Sequence, residues 1–218
     1  MKIKNFRFSA SGGLLIGVFI FWTILVQIVD VQSIGVNGTS VGFAELNSRF
    51  HSLTGVNMTL YNITDWAGLV PVFICMVFGI FGFVQFVKRK SLLKVDFDII
   101  ISGIYYAAVI FFYLIFEMIP INYRPILING IAEASYPSST TLLVLSVMPS
   151  YVFLINNRAK NQIVKKINYI ITVLFSVFVV GGRLICGVHW LTDIAGSVFL
   201  SLGMFLIYKG IVLTKRNR

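Results

Sequence analysis

His189 and Asp193 stand four residues apart in the segment Gly182-Arg183-Leu184-Ile185-Cys186-Gly187-Val188-His189-Trp190-Leu191-Thr192-Asp193. That spacing predicts one shared face at a helix start. A carboxylate there can accept the imidazole Nδ1–H, which fixes the tautomer and stabilises positive charge on the ring. Nε2 is then left to act as nucleophile or base. Arg183, six residues before the histidine, offers a planar fork that suits a phosphate. Alone, a His-x-x-x-Asp pair also describes a helix cap with a satisfied histidine.

Two other segments offer complementary groups. In Tyr136-Pro137-Ser138-Ser139-Thr140-Thr141, Pro137 breaks what precedes it and Ser138 is a good N-cap. The unpaired N–H groups and dipole of such a helix start favour an anion, although a plain capped helix reads the same way. In Glu117-Met118-Ile119-Pro120-Ile121-Asn122-Tyr123-Arg124-Pro125, Pro125 holds the backbone at Arg124 extended. A second guanidinium is what a dianion needs opposite the first.

The elements that position these groups are membrane helices. Hydrophobic residues make up 57% of the 218 and charged residues 12%, about half the charged share of a soluble domain. The apolar residues fall in runs of about 20, the length that crosses a bilayer core. Spans are expected at about 13–31, 68–87, 97–116, 139–155, 169–188 and 193–213. The runs are too continuously apolar for barrel strands, so the fold class is an all-α, polytopic bundle of six transmembrane helices in a single domain over 1–218. The first run is expected to be a helix and not a removed signal peptide, for want of a small-residue cleavage site.

Charge sets the expected orientation. Fifteen of the 18 Lys and Arg residues fall on one side: Lys2, Lys4, Arg7, Lys88, Arg89, Lys90, Lys94, Arg158, Lys160, Lys165, Lys166, Lys209, Lys215, Arg216 and Arg218. Only Arg49, Arg124 and Arg183 fall on the other. The basic side, with both termini, is expected to be cytoplasmic, and a bacterial cytoplasmic membrane is the expected location. The net charge of +10 flanks hydrophobic runs and forms no basic face, which excludes a nucleic-acid partner and points to anionic lipid headgroups. Cys75 and Cys186 lie in apolar runs with no metal-ligand or disulfide spacing. The extracytoplasmic loop 32–67 is long. Its Phe43, Leu46, Phe50 and Leu53 predict a short amphipathic helix on the membrane surface, and His51 reads as a surface histidine. Asn37, Asn57 and Asn62 open Asn-x-Thr triplets, which matter only in a glycosylating host.

The order Arg124-Pro125, then Pro137-Ser138, then Arg183-x5-His189-x3-Asp193 resembles the type 2 phosphatidic acid phosphatase (PAP2) superfamily, which also holds the vanadium haloperoxidases. The resemblance covers Glu117 to Asp193. It implies that His189 attacks phosphorus to form a phosphohistidine and that Asp193 orients it. It also implies that Arg124, Arg183 and Ser138 hold phosphate oxygens, with help from the backbone at Ser139 and Thr140, and that no metal or other cofactor is needed. The chain departs from the family pattern at four positions. Glu117 stands where the family has Lys, Ser139 where it has Gly, Thr140 where it has His, and Gly182 where it has Ser.

The Thr140 departure removes the family's general acid. General acid catalysis contributes roughly 10²–10⁴-fold, and an alkoxide leaving group suffers most from its loss. A diphosphate, which expels a phosphate, needs less protonation. Glu117, which is also placed to pair with Arg124, and Glu133 are the candidate substitute acids. The expected function is therefore hydrolysis of a lipid phosphate or diphosphate headgroup, with polyprenyl diphosphate preferred over phosphatidate or phosphatidylglycerol phosphate. The alternatives are an inactive relative that binds a lipid phosphate or a protein, and a small transporter. The transporter reading lacks polar residues along a path across the bilayer.

Overall fold

The protein is described by a computed structural model that covers residues 2–216. Of the basic residues counted for orientation, Arg218 and the side chains of Lys2, Lys4 and Arg216 lie outside what it describes. The helices are α1 (Lys2–Ile28), α2 (Ala44–Thr54), α3 (Met58–Ala67), α4 (Leu69–Arg89), α5 (Phe97–Met118), α6 (Ser139–Arg158), α7 (Gln162–Ile185) and α8 (Leu191–Arg216). Among the described residues there is no strand, only three isolated antiparallel bridges. Six stretches are long and apolar enough to cross a membrane. Their outer surfaces expose Phe73, Ile80, Phe83, Leu174 and Val177, which suits hydrocarbon and not water. This is an integral membrane bundle.

Several helix ends differ from the sequence expectation for local reasons. The second span begins at Met58 and runs to Arg89 through Gly68. At about 1.5 Å per residue it is longer than a bilayer core of roughly 30 Å, and its first part, α3, belongs to the site. α7 starts at Gln162, because the Asn161 side chain accepts the Ile163 N–H at 2.8 Å. It stops at Ile185, because Gly187 turns the chain with φ +68°.

α8 is the central helix and packs mainly on α1 and α6. It meets α1 across glycines: a Cβ on Gly12 would lie 2.7 Å from the Gly203 carbonyl oxygen. Small residues allow this close approach where no hydrophobic force drives helices together. Between the helices lie Tyr105, Tyr106, Leu142, Val147, Leu200 and Tyr208. The buried tyrosine hydroxyls there find partners, as with Tyr105 on the Ser146 carbonyl and Tyr106 on the Ser150 hydroxyl, each at 3.0 Å. α2 docks by a polar contact, with the Asn47 amide on the Gly42 carbonyl and the Thr192 hydroxyl. Its Leu46 and Leu53 point outward.

Candidate active site

The site sits at one end of the bundle, where four elements converge. The α7–α8 turn is the first. Gly187 is needed there twice: its φ is positive, and a Cβ would lie 1.7 Å from the Gly55 carbonyl oxygen. The turn leaves His189 just before α8 and Asp193 in the first turn of that helix. Asp193 reaches back to accept the Trp190 N–H at 2.9 Å, as the third residue of a capping box does. His189 thus precedes the helix, whereas the spacing alone placed it on the helix face.

The second element is the segment 119–138, which folds as an irregular hairpin over the site. Ile128 and Ile131 exchange backbone bonds at 3.0 and 2.9 Å across Asn129 and Gly130, both at positive φ, as a two-residue type I′ turn requires. Further down, the Arg124 N–H bonds the Glu133 carbonyl and the Ser135 N–H bonds the Asn122 carbonyl. Pro125 has no N–H to continue the ladder between these points. The hairpin places Asn122 and Arg124 on one arm and Glu133 and Ser135 on the other. The Trp190 indole N–H fastens it to α8 through the Tyr123 carbonyl at 2.8 Å.

The third element, α3, carries Tyr61 and Asp65. It lies tight on α7 because residue 182 is glycine: a Cβ there would meet the Thr64 Cγ2 at 2.5 Å. This gives the Gly182 departure a physical reason. Tyr61 presents its ring to both guanidinium groups, Arg183 at 4.7 Å and Arg124 at 5.5 Å. A cation over a ring face gains about 0.5–2 kcal/mol, which helps two like charges share one pocket.

The fourth element is the start of α6. Its first helical bond runs from the Leu142 N–H to the Ser138 carbonyl, so the N–H groups of Ser139, Thr140 and Thr141 have no helical partner. The Ser138 hydroxyl does not cap them. It is fully buried and donates to the Thr141 hydroxyl at 3.0 Å. Thr140 is buried beside Gly68, at the α3–α4 joint. Ser139 and Glu117 line a cleft with Tyr113 and Tyr136.

Arg183 is wholly buried and Arg124 nearly so, at 7% exposure. Arg183 Nη2 lies 3.4 Å from His189 Nε2. Arg183 Nη1 lies 3.4 Å from Asp65, and Arg124 Nη2 lies 3.1 Å from Glu133. The expected pairing of Glu117 with Arg124 is thus replaced by Glu133, because the hairpin sets that residue opposite the arginine while Glu117 stays exposed at the end of α5. Nε and Nη1 of both arginines have no hydrogen-bond partner. Burial, and then the charges of Arg124 and Arg183, hold the His189 imidazole well below its ordinary pKa.

Asp193 does not reach His189 directly. Its Oδ2 is 3.8 Å from Nδ1, and Ser135 stands between them, its hydroxyl 3.1 Å from Nδ1 and donating to Oδ2. The Asn122 amide donates to Oδ1 at 3.3 Å. The structure thus gathers Arg124, Arg183, His189 and Asp193, and joins the start of α6 to them through the Ser138 N–H on the Asp193 carbonyl, while Ser139 faces the Glu117 cleft and Thr140 faces Gly68. It adds Tyr61, Asp65, Asn122 and Ser135, which the motif reading missed. Asn129-Gly130 between apolar residues was the available signal for the hairpin partners. Tyr61 and Asp65 had no local signal.

A bundle of six membrane-crossing helices, with two buried arginines around a histidine at one end, defines an integral membrane protein with a polar site at one end. The PAP2 superfamily model matches residues 102–217, and the chain belongs to that superfamily. Its fold is similar to that of a solved structure, the first transmembrane PAP2 type phosphatidylglycerolphosphate phosphatase from Bacillus subtilis. That match has a TM-score of 0.61 and 21% identity, and it covers 91% of this chain and 96% of the other. No curated protein matches the chain.

Proposed function

We propose that the chain hydrolyses the phosphate or diphosphate headgroup of a membrane lipid through a phosphohistidine at His189. The observation that carries this reading is the pair of buried guanidiniums, Arg183 with its Nη2 3.4 Å from Nε2 and Arg124, in which four nitrogens make no hydrogen bond and only Arg183 Nη1 has an ion pair, to Asp65. Unsatisfied buried donors are costly, and a phosphate would satisfy them. Nε2 attacks phosphorus as the bond to the leaving oxygen breaks, while both arginines take the charge on the equatorial oxygens. The free N–H groups of Ser139 and Thr140 add to that cradle. Water then attacks the phosphohistidine, releases phosphate and regenerates Nε2.

Threonine at 140 supports a diphosphate over a monoester, since a phosphate leaving group needs less protonation. Polyprenyl diphosphate is the preferred substrate. The crowding of Lys and Arg at the far end supports an extracytoplasmic site in a bacterial cytoplasmic membrane. Phosphate release by the purified protein on polyprenyl diphosphate, polyprenyl monophosphate and phosphatidate, beside His189→Ala, tests the reading. Release on the diphosphate that vanishes in the variant is expected. A second reading, a lipid-phosphate binder without turnover, is favoured by Glu117 and Thr140 at two of the family's polar positions. Absence of release from folded protein on all three lipids would select it.

A further inference from the structure

We propose that Ser135 is the positioning residue that couples Asp193 to His189, so that the site works as a His–Ser–Asp relay instead of a direct His–Asp pair. The inference rests on the phosphohistidine reading and adds to it the group that links the nucleophile's Nδ1–H to Asp193.

The other ring nitrogen, Nε2, fixes where the imidazole proton sits. Arg183 Nη2 lies 3.4 Å from Nε2, and a guanidinium has only donors. Nε2 therefore faces a donor and must be the bare nitrogen, and in a neutral imidazole the proton is on Nδ1. That N–H needs an acceptor, since His189 is 3% exposed. Both acceptors within reach belong to Ser135: its hydroxyl oxygen at 3.1 Å and its carbonyl at 3.2 Å. Asp193 is out of hydrogen-bond range at 3.8 Å and is engaged elsewhere. It accepts from the Ser135 hydroxyl, the Trp190 N–H and the Asn122 amide.

The Ser135 hydroxyl has one proton, and it goes to Asp193, which leaves a lone pair for Nδ1–H. When Nε2 forms its bond to phosphorus, the ring becomes cationic. The Nδ1–H polarises the serine oxygen, and the serine O–H leans further onto the carboxylate. No proton changes owner, and the negative charge of Asp193 is felt at the ring through one hydroxyl. Ser135 is placed for this by the hairpin, whose Asn122–Ser135 backbone bond of 2.9 Å sets both of its Asp193 donors side by side.

The chain has two histidines, so ¹⁵N-histidine labelling gives a spectrum of His51 and His189 alone, and His51→Asn assigns it. The wild type is expected to show a protonated Nδ1 and a bare Nε2 for His189. Ser135→Ala is expected to keep the tautomer but to shift the His189 Nδ1 resonance, because Nδ1–H then has only the backbone carbonyl of residue 135, and to lower kcat on polyprenyl diphosphate about 10–100-fold, the loss known for removing the group behind a metal-bound histidine, with little change in KM. Ser135→Thr, which keeps the hydroxyl, is expected to restore both. If Ser135→Ala does not fold, Ser135→Cys carries the same test, since a thiol fills the space and donates weakly. An unchanged Nδ1 resonance and kcat in the hydroxyl-free variant would overturn the proposal. Absence of wild-type turnover would overturn the phosphatase reading while leaving the tautomer experiment to decide the role of Ser135.

Discussion

At the end of the bundle away from the site, Arg89 and Arg158 converge on Asp96 and Asp98. Arg89 meets Asp96 at 2.8 Å, and Arg158 meets Asp96 at 3.2 Å and Asp98 at 2.6 Å. Gln85 completes the knot by donating to the Asp96 carboxylate and accepting its N–H. The hydrogen bond from Arg89 leads the effects that hold the Asp96 carboxyl below the usual range. This cluster ties the end of α4 to the start of α5 and the end of α6. At the site end, Arg124 and Arg183 also have two carboxylates, but each guanidinium touches one of them and leaves two nitrogens without a hydrogen bond. Asp65 and Glu133 lie partly exposed at the rim, while the arginines are buried. The same residue types thus make a staple where charges are matched and partly wet. They leave guanidinium donors open where burial outruns satisfaction, the arrangement on which the proposed phosphate site rests.

The sharpest way to break this comparison is to replace one arginine at each end by methionine. Arg183→Met is expected to lower phosphate release about 10²–10³-fold, the usual loss for one donor to a developing oxyanion. Its thermal midpoint should hold or rise, because an unsatisfied buried charge gives way to apolar volume. Arg158→Met is expected to keep activity and to lower the midpoint, since Asp98 loses its partner and stands beside Asp96. Parallel losses of activity in both variants would show that the two ends do not differ in kind.

A pH profile sharpens the contrast further. His189 is held neutral first by burial and then by Arg124 and Arg183. Its nucleophile should stay competent below pH 6.5, where an ordinary histidine is half protonated. As pH falls, the imidazole should therefore limit kcat/KM only at a pH below the ordinary histidine range. Arg124→Gln removes one repelling cation, so the acid limb in the residual activity should move to higher pH. Arg89→Gln, at the other end, should leave the limb in place. An unmoved limb in Arg124→Gln would remove that arginine from the field at the imidazole.

The two ends also differed in how far they could be read from sequence. The helices were legible because each apolar run is long and punctuated by charge. The motif arginines, His189 and Asp193 were legible because their spacing and order carry chemistry. Helix ends slipped where a single residue decided them, as Asn161 and Gly187 did for α7. Ser135 and Asn122 stayed hidden because they act through the hairpin, although Asn129-Gly130 between isoleucines was a readable turn. Tyr61 and Asp65 could not have been found locally. They reach the arginines only because Gly182 lets α3 close on α7, a contact between residues more than a hundred positions apart. The Arg158–Asp98 pair was equally out of reach, since only the packed bundle brings the ends of α5 and α6 together.

The smallest expected effect falls on the rim carboxylates. Asp65 is half-exposed and touches Arg183 Nη1 at 3.4 Å, so it competes with a phosphate for the same fork. Exposed ion pairs are worth about 0.2–1 kcal/mol, which corresponds to about 1.4–5-fold in affinity. Asp65→Asn should therefore tighten inhibition by inorganic phosphate by about that factor and leave the thermal midpoint unchanged. Asp96→Asn, the matching change at the staple, should lower the midpoint and leave phosphate inhibition alone. Asp65 also lies three residues before Gly68, which touches Thr140 where the family's acid is missing. A loss of kcat in Asp65→Asn on polyprenyl monophosphate, with the diphosphate rate intact, would give this carboxyl the proton for the leaving oxygen. Equal rates on both substrates, with tighter phosphate inhibition, would confine it to competing for the arginine.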